Sequence, residues 1–124
     1  MTETPTYRGS CHCGKVVFEI NAAVERGLRC NCSLCRRKGA VMALVPEAAF
    51  RLISGEDALR LYQYNTMVAR HHFCSTCGIY THHFPRTRPG VIGINTGCLE
   101  GFDPLTLDIQ MADGASLSGG PPAR

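Results

Sequence analysis

Three thiols fall within six residues in the stretch Cys30-Asn31-Cys32-Ser33-Leu34-Cys35, which runs on into Arg36-Arg37-Lys38 and Gly39. Three thiolates are three quarters of a tetrahedral zinc site. A zinc with three protein ligands and one open position is the arrangement used for chemistry rather than for stapling. A thiol entering the open position would be held as thiolate. It could then add to a small carbonyl, the new alkoxide being steadied by the metal or a nearby cation. Arg36 and Arg37 are the candidate cations, suited also to drawing in an anionic substrate. The plainer reading makes Arg36, Arg37 and Lys38 a solvated face. Two other readings of the thiols stand beside the open site: a local disulfide with a spare cysteine, or a four-thiolate site closed by a distant one.

Eight cysteines are present, and seven lie in three clusters. Cys11 and Cys13, at i and i+2, face the same side of an extended segment and can converge on one ion. Cys74 and Cys77 sit in Cys74-Ser75-Thr76-Cys77-Gly78, a spacing at which one tight turn presents both sulfurs. Together these four make a set for a structural tetrathiolate zinc. Spacing equally allows Cys30 and Cys32 to join Cys74 and Cys77; the first partition leaves the triple beside its basic run intact. Cys98 is left over, most simply a small buried hydrophobe. As a fourth ligand to the triple it would close the site.

Five histidines add further candidates. His71, His72, His82 and His83 flank the Cys74–Cys77 turn on two expected strands, where neighbours point to opposite faces. At most one of each pair should therefore approach any given site, as a fourth zinc ligand or proton shuttle. His12, between two ligands, should point away from the metal.

These groups must be positioned by short strands. Lys15–Ile20 alternates, with Val16, Phe18 and Ile20 on one face; Leu28–Cys30 feeds the triple-cysteine stretch. Ala40–Val45 is an apolar run read as a buried strand. Phe50–Ile53, Ile79–Phe84 and Val91–Asn95 follow as strands, and Leu105–Met111 as an edge strand. Leu59–Tyr64 and Val68–Phe73 read as antiparallel partners around Asn65-Thr66. The best helical candidate is a turn near Pro46–Ala49. Residues 1–8 read as a loose arm and 114–124 as a flexible tail, leaving one zinc-binding β domain over 1–113.

The chain of 124 residues has room for a modest core and gains from a cross-link. No apolar run is long enough for a membrane span, and residues 1–10 lack the apolar core of a signal peptide. A cytoplasmic address follows, where thiols stay reduced and clustered cysteines point to metal rather than to disulfides. The formal charge of +3 counts every cysteine as neutral. Seven thiolates and two zinc ions bring it to zero, so the basic balance does not argue for nucleic acid as a partner.

In order and spacing, Gly9-Ser10-Cys11-His12-Cys13-Gly14, Cys30-Asn31-Cys32-Ser33-Leu34-Cys35-Arg36 and Phe73-Cys74-Ser75-Thr76-Cys77-Gly78 resemble the glutathione-dependent formaldehyde-activating enzyme family, which includes centromere protein V. The resemblance covers roughly residues 7–100. It implies an all-β, tent-like zinc fold, a structural zinc on Cys11, Cys13, Cys74 and Cys77, and a catalytic-type zinc on Cys30, Cys32 and Cys35. The activity it implies is a carbon–sulfur lyase reaction in which glutathione and formaldehyde give S-hydroxymethylglutathione. Against this stands a non-enzymatic zinc module with a vestigial three-cysteine site. Thiol–disulfide exchange at Cys32 and Cys35 has no thioredoxin-like βαβ pattern behind it.

Overall fold

The apolar alternation folds into ten short strands and one short helix among residues 4–64, 66–86 and 88–113, which the computed structural model describes. The strands are β1 (Thr6–Ser10), β2 (Val17–Asn21), β3 (Arg26–Cys30), β4 (Met42–Pro46), β5 (Phe50–Ser54), β6 (Leu59–Tyr62), β7 (Arg70–Cys74), β8 (Tyr80–Phe84), β9 (Val91–Asn95) and β10 (Asp108–Ala112). The helix α1 spans Ser33–Lys38. A 3-10 turn at Glu47–Ala49 occupies the place where the sequence favours helix.

Two sheets result. One has the order β1-β2-β5; the other runs β10-β3-β4-β9-β8-β7-β6. The fold is all-β, as expected, and every pairing is antiparallel except that β10 lies parallel to β3. β6 and β7 form the antiparallel pair read from the sequence, in shorter form. Asn65 in their connection, and the expected tail at 114–124, lie outside the described residues.

Two sequence expectations need correction. The stretch 1–8 is not simply a loose arm, because Thr6–Ser10 is the strand β1, paired residue for residue with Val17–Asn21. That segment has little apolar alternation to announce it; backbone pairing with β2 creates the strand. The second correction is α1, which falls inside the triple-cysteine region where no helix is expected. Six residues are too few to show a helical period or to stand alone as a helix.

The main core lies between the sheets. Phe18 and Ile20 of β2 meet Ala43 and Val45 of β4 and Ile92 and Ile94 of β9, with Val24, Cys98 and Leu99 closing the edges. Full burial of each large side chain here contributes about 1.5–3 kcal/mol. Period-two alternation sends Met42 to the opposite face of the large sheet, where it packs with Cys32, Cys35 and Tyr80. The large sheet is thus covered on both sides, which is why Tyr80, Thr81, His82 and His83 of β8 are all buried.

A bulge sets how those four residues face. Phe73 pairs with Tyr80 and His72 with His82, so Thr81 is an extra residue on β8. The shift puts Tyr80 and His83 on one face, their hydroxyl and Nδ1 atoms 2.6 Å apart. His82 goes to the other face, tilted against Phe50 of the small sheet with ring centroids 4.7 Å apart. Gly93 of β9 makes room for His83, since a Cβ there would occupy the imidazole ring.

Gly93→Ala should therefore overpack the sheet at a cost of about 1–3 kcal/mol. Thermal melting should show a midpoint lowered by several degrees, and the His83 ring resonances should move. An unchanged midpoint would show that the ring has room to shift.

Candidate metal centres

The turn between β1 and β2 carries Cys11 and Cys13, and the turn between β7 and β8 carries Cys74 and Cys77. The two turns are built alike. Cys11 N–H donates to the Val16 carbonyl at 3.0 Å, and Cys74 N–H to the Ile79 carbonyl at 3.0 Å. Gly14 N–H then donates back to Cys11, and Gly78 N–H to Cys74. Both glycines sit at positive φ, 83° and 78°, the conformation that tightens the chain around a cysteine pair. Lys15 Nζ donates to Thr76 Oγ1 across the junction at 3.3 Å. His12 is exposed on the outer side of its turn and belongs to neither cysteine group.

All four sulfurs lie within 4.8 Å of one another. Cys11 Sγ is 3.6 Å from Cys13 Sγ, which is 3.7 Å from Cys74 Sγ. Zinc–sulfur bonds of about 2.3 Å in a tetrahedron place sulfurs about 3.8 Å apart. The donor set and its spacing therefore fit a zinc ion. Only a small apolar cluster surrounds this corner, chiefly Val16 and Ala58 with Leu52 and Leu59 at its edge.

Cys30, Cys32 and Cys35 form the second group, again with all sulfurs within 4.8 Å. Cys30 ends β3, Cys32 is the N-cap of α1, and Cys35 lies one turn in. The helix start is built from sulfur: Cys32 Sγ accepts the Cys35 N–H at 3.3 Å, in the place where a serine or aspartate oxygen commonly serves. Cys30 Sγ accepts from Cys32 N–H at 3.5 Å. Gly39, at φ 64°, closes the helix by donating to the Cys35 carbonyl. Bonding from Cys30 and Cys35 holds the Cys32 thiol far below the usual range, and the same crowding pushes Cys35 far above it. A bound cation would replace that sharing by holding all three as thiolates. The group contains three sulfurs and no fourth His, Cys, Asp or Glu ligand among the described residues.

The helix also sorts the basic run. Leu34, Cys35 and Lys38 fall on one side of a 3.6-residue period, while Arg36 and Arg37 fall on the other and are exposed. Arg37 folds back to donate to the Ser33 carbonyl at 2.7 Å. Lys38 does not share the solvated face expected for all three. Its Nζ lies 2.9 Å from His71 Nδ1 and 3.6 Å from the centroid of the Tyr80 ring. Burial pulls the ammonium down to about 8, against the opposing pull of Cys35, Cys32 and Cys30. A protonated lysine can only donate, so His71 Nδ1 accepts. Burial, with Lys38 beside it, holds His71 down to about 4, as a neutral ring. Tyr64 completes the wall, with its hydroxyl donating to Cys32 Sγ at 3.8 Å and its ring 6.1 Å from His71.

The paired histidines separate by face, as strand geometry requires. His71 and His83 stack on the α1 side with centroids 5.2 Å apart; His72 and His82 stack on the small-sheet side at 4.7 Å. None of the four joins a cysteine group. Cys98 packs in the main core with its sulfur on the Tyr80 carbonyl, apart from both centres. Sequence reading missed Lys38 and Tyr80 as neighbours of the triple, whereas His71 is one of the four histidines it offered. The spacing of Leu34, Cys35 and Lys38 carries that signal once a helix is assumed over Ser33–Lys38.

Residues 6–112 match the family model described as glutathione-dependent formaldehyde-activating enzyme. The chain belongs to that family. Among solved structures, this member of the glutathione-dependent formaldehyde-activating enzyme family is similar to the crystal structure of a Rhodobacter sphaeroides protein. The two share 40% identity at a TM-score of 0.77, over 85% of this chain and 99% of that one. Among curated proteins it is similar to a putative glutathione-dependent formaldehyde-activating enzyme of Halomonas elongata, 33% identical over 78 residues. That match covers 56% of this family member and 50% of the relative, so the chain spans about half the length of the curated protein it matches.

The two centres should respond differently to loss of one ligand. A structural zinc site can contribute on the order of 10–16 kcal/mol in small zinc-dependent peptides, against total domain stabilities of about 5–15 kcal/mol. Cys13→Ser or Cys77→Ser should yield unfolded or insoluble protein. Cys32→Ser or Cys35→Ser should keep β-type circular dichroism and a melting transition while binding less metal. The reverse pattern would mean that the triple, not the tetrathiolate set, carries the fold.

Proposed function

We propose that this chain is a zinc-dependent carbon–sulfur lyase-type enzyme that joins glutathione to formaldehyde as S-hydroxymethylglutathione at the Cys30–Cys32–Cys35 centre. The observation that carries the reading is a three-sulfur group without a fourth protein ligand among the described residues, in a chain of this family. Up to two zinc ions are bound per chain, one structural on Cys11, Cys13, Cys74 and Cys77 and one of catalytic type on the triple. The working unit is one domain over 1–113 acting in the cytoplasm; no helix among the described residues is long and apolar enough to cross a membrane.

When bound by the triple, zinc would hold a substrate thiol as thiolate, the form that adds to an aldehyde carbon. The chain's own groups set up that encounter. Cys30, Cys32 and Cys35 would hold the metal at the end of β3 and the start of α1. Arg36 and Arg37, on the outer face of α1, place positive charge beside the centre for the carboxylates of glutathione. Leu34, Met42 and Tyr80 form an apolar wall around the sulfurs, which limits water and strengthens every electrostatic contact inside. Tyr64 steadies Cys32 by its hydroxyl.

Calorimetry with glutathione and its S-methyl derivative tests the thiol capture. Glutathione should bind more tightly by tenfold or more, because only a free thiol can become a ligand; equal affinities would remove thiolate capture. The same protein should accelerate S-hydroxymethylglutathione formation above the uncatalysed rate, and a zinc module without that activity would not. A mild chelator should abolish the acceleration by stripping the open centre first, with the fold retained. Replacing Arg36 and Arg37 by Ala should weaken glutathione binding more at low salt than at high salt.

A further inference from the structure

We propose that Lys38 is a catalytic residue of the three-cysteine centre, placed to bond the oxygen of the aldehyde and to protonate it as the carbon–sulfur bond forms. The proposal rests on the reading of that centre as a site where a thiol meets a small aldehyde. Within the basic run it is Lys38 that the helix turns toward the sulfurs, while Arg36 and Arg37 face outward. Two contacts place its amine there. His71 Nδ1 takes one N–H at 2.9 Å, and the Tyr80 ring lies beneath the charge at 3.6 Å. That same ring packs against Cys32 and Cys35. Tyr64 closes the triangle, since it touches Cys32 by its hydroxyl and faces His71 by its ring.

No carboxylate among the described residues pairs with Lys38. Its charge is answered by the cysteines, each of which favours the ammonium form. Three thiolates and a dication leave one negative charge, which one lysine balances. The alkoxide generated by addition carries negative charge that exposed arginines, screened by water, oppose only weakly. A part-buried ammonium with one N–H already committed keeps two to offer.

The step balances without a further reagent. The thiolate lone pair forms the new S–C bond, and the carbonyl π pair moves onto oxygen. That oxygen takes a proton from Lys38 Nζ, which regains one from solvent, equivalent to the proton lost by the incoming thiol. His71 acts as a positioning residue, since its neutral ring accepts from the ammonium and aims the remaining donors.

The test compares the zinc-loaded wild-type chain with Lys38→Met, and with Lys38→Arg as the variant that keeps the cation. Zinc content, thermal melting and calorimetric affinity for glutathione are measured beside the rate of S-hydroxymethylglutathione formation and breakdown. Lys38→Met should keep both metals and glutathione affinity while kcat falls on the order of 10²- to 10⁴-fold in both directions. Lys38→Arg should recover part of that loss. Lys38→Gln serves where Lys38→Met does not fold, with the same expectation. A fully active Lys38→Met overturns the role of Lys38 and leaves the thiol–aldehyde reading standing. Loss of the second zinc or of glutathione binding overturns it too, because Lys38 then holds the site rather than acts in it. Absence of any acceleration by the wild-type protein overturns both readings together.

Discussion

Two sulfurs from the turn between β1 and β2 meet two from the turn between β7 and β8, so a single tetrahedral junction spans the two sheets. The residues it joins are far apart in sequence, Cys13 and Cys74 being separated by 61 positions. Closing a loop of that length costs conformational entropy that local contacts at this corner do little to offset. The apolar cluster around the junction is small, and its two most buried sulfurs, Cys11 and Cys74, are themselves part of it. A metal ion on these four thiolates would supply what the missing hydrophobic contacts do not. The main core between β2, β4 and β9 can then remain modest, as a chain of this length requires.

The three-cysteine centre is built differently from that junction. It lies on the opposite face of the large sheet from the main core, where Met42 and Tyr80 project from β4 and β8. A six-residue helix has no stability of its own. Here α1 is held by a sulfur cap at Cys32, by Gly39 at its end, and by packing of Leu34 and Cys35 onto the sheet. The structural contrast follows from ligand count. Around an ion, four sulfurs on two fixed turns would complete a tetrahedron, whereas three sulfurs on a strand end and a helix start would leave one direction for something else.

Electrostatics around the second centre are governed by burial. His71 and His83 are kept neutral by desolvation, and the cation that neighbours both is the part-buried Lys38. Neutral rings beside an ammonium act as acceptors and spacers, so positive charge is concentrated on one amine rather than spread over several groups. His72 and His82 take no part in this, because the β8 bulge and the alternation of β7 turn them to the small sheet.

Cysteine number and spacing marked out the groups of thiols in advance. Close thiols in a chain of this composition converge locally whatever the fold does, so the three clusters were legible in the residues themselves, and the resemblance of the three motifs in order and spacing carried the family and, with it, the all-β class. Most strands were legible too, since period-two alternation reports a half-buried sheet directly. β1 was not, because its pairing with β2 is a backbone interaction that leaves no side-chain pattern in Thr6–Ser10. Which cysteine pairs join was open on spacing alone, and only the approach of one hairpin of each sheet brings Cys11 and Cys13 to Cys74 and Cys77. Tertiary structure likewise decided the fate of Lys38. Charge in a run such as Arg36-Arg37-Lys38 reads as solvated until a helical phase is known, and a six-residue helix is set by its caps and by the surface beneath it.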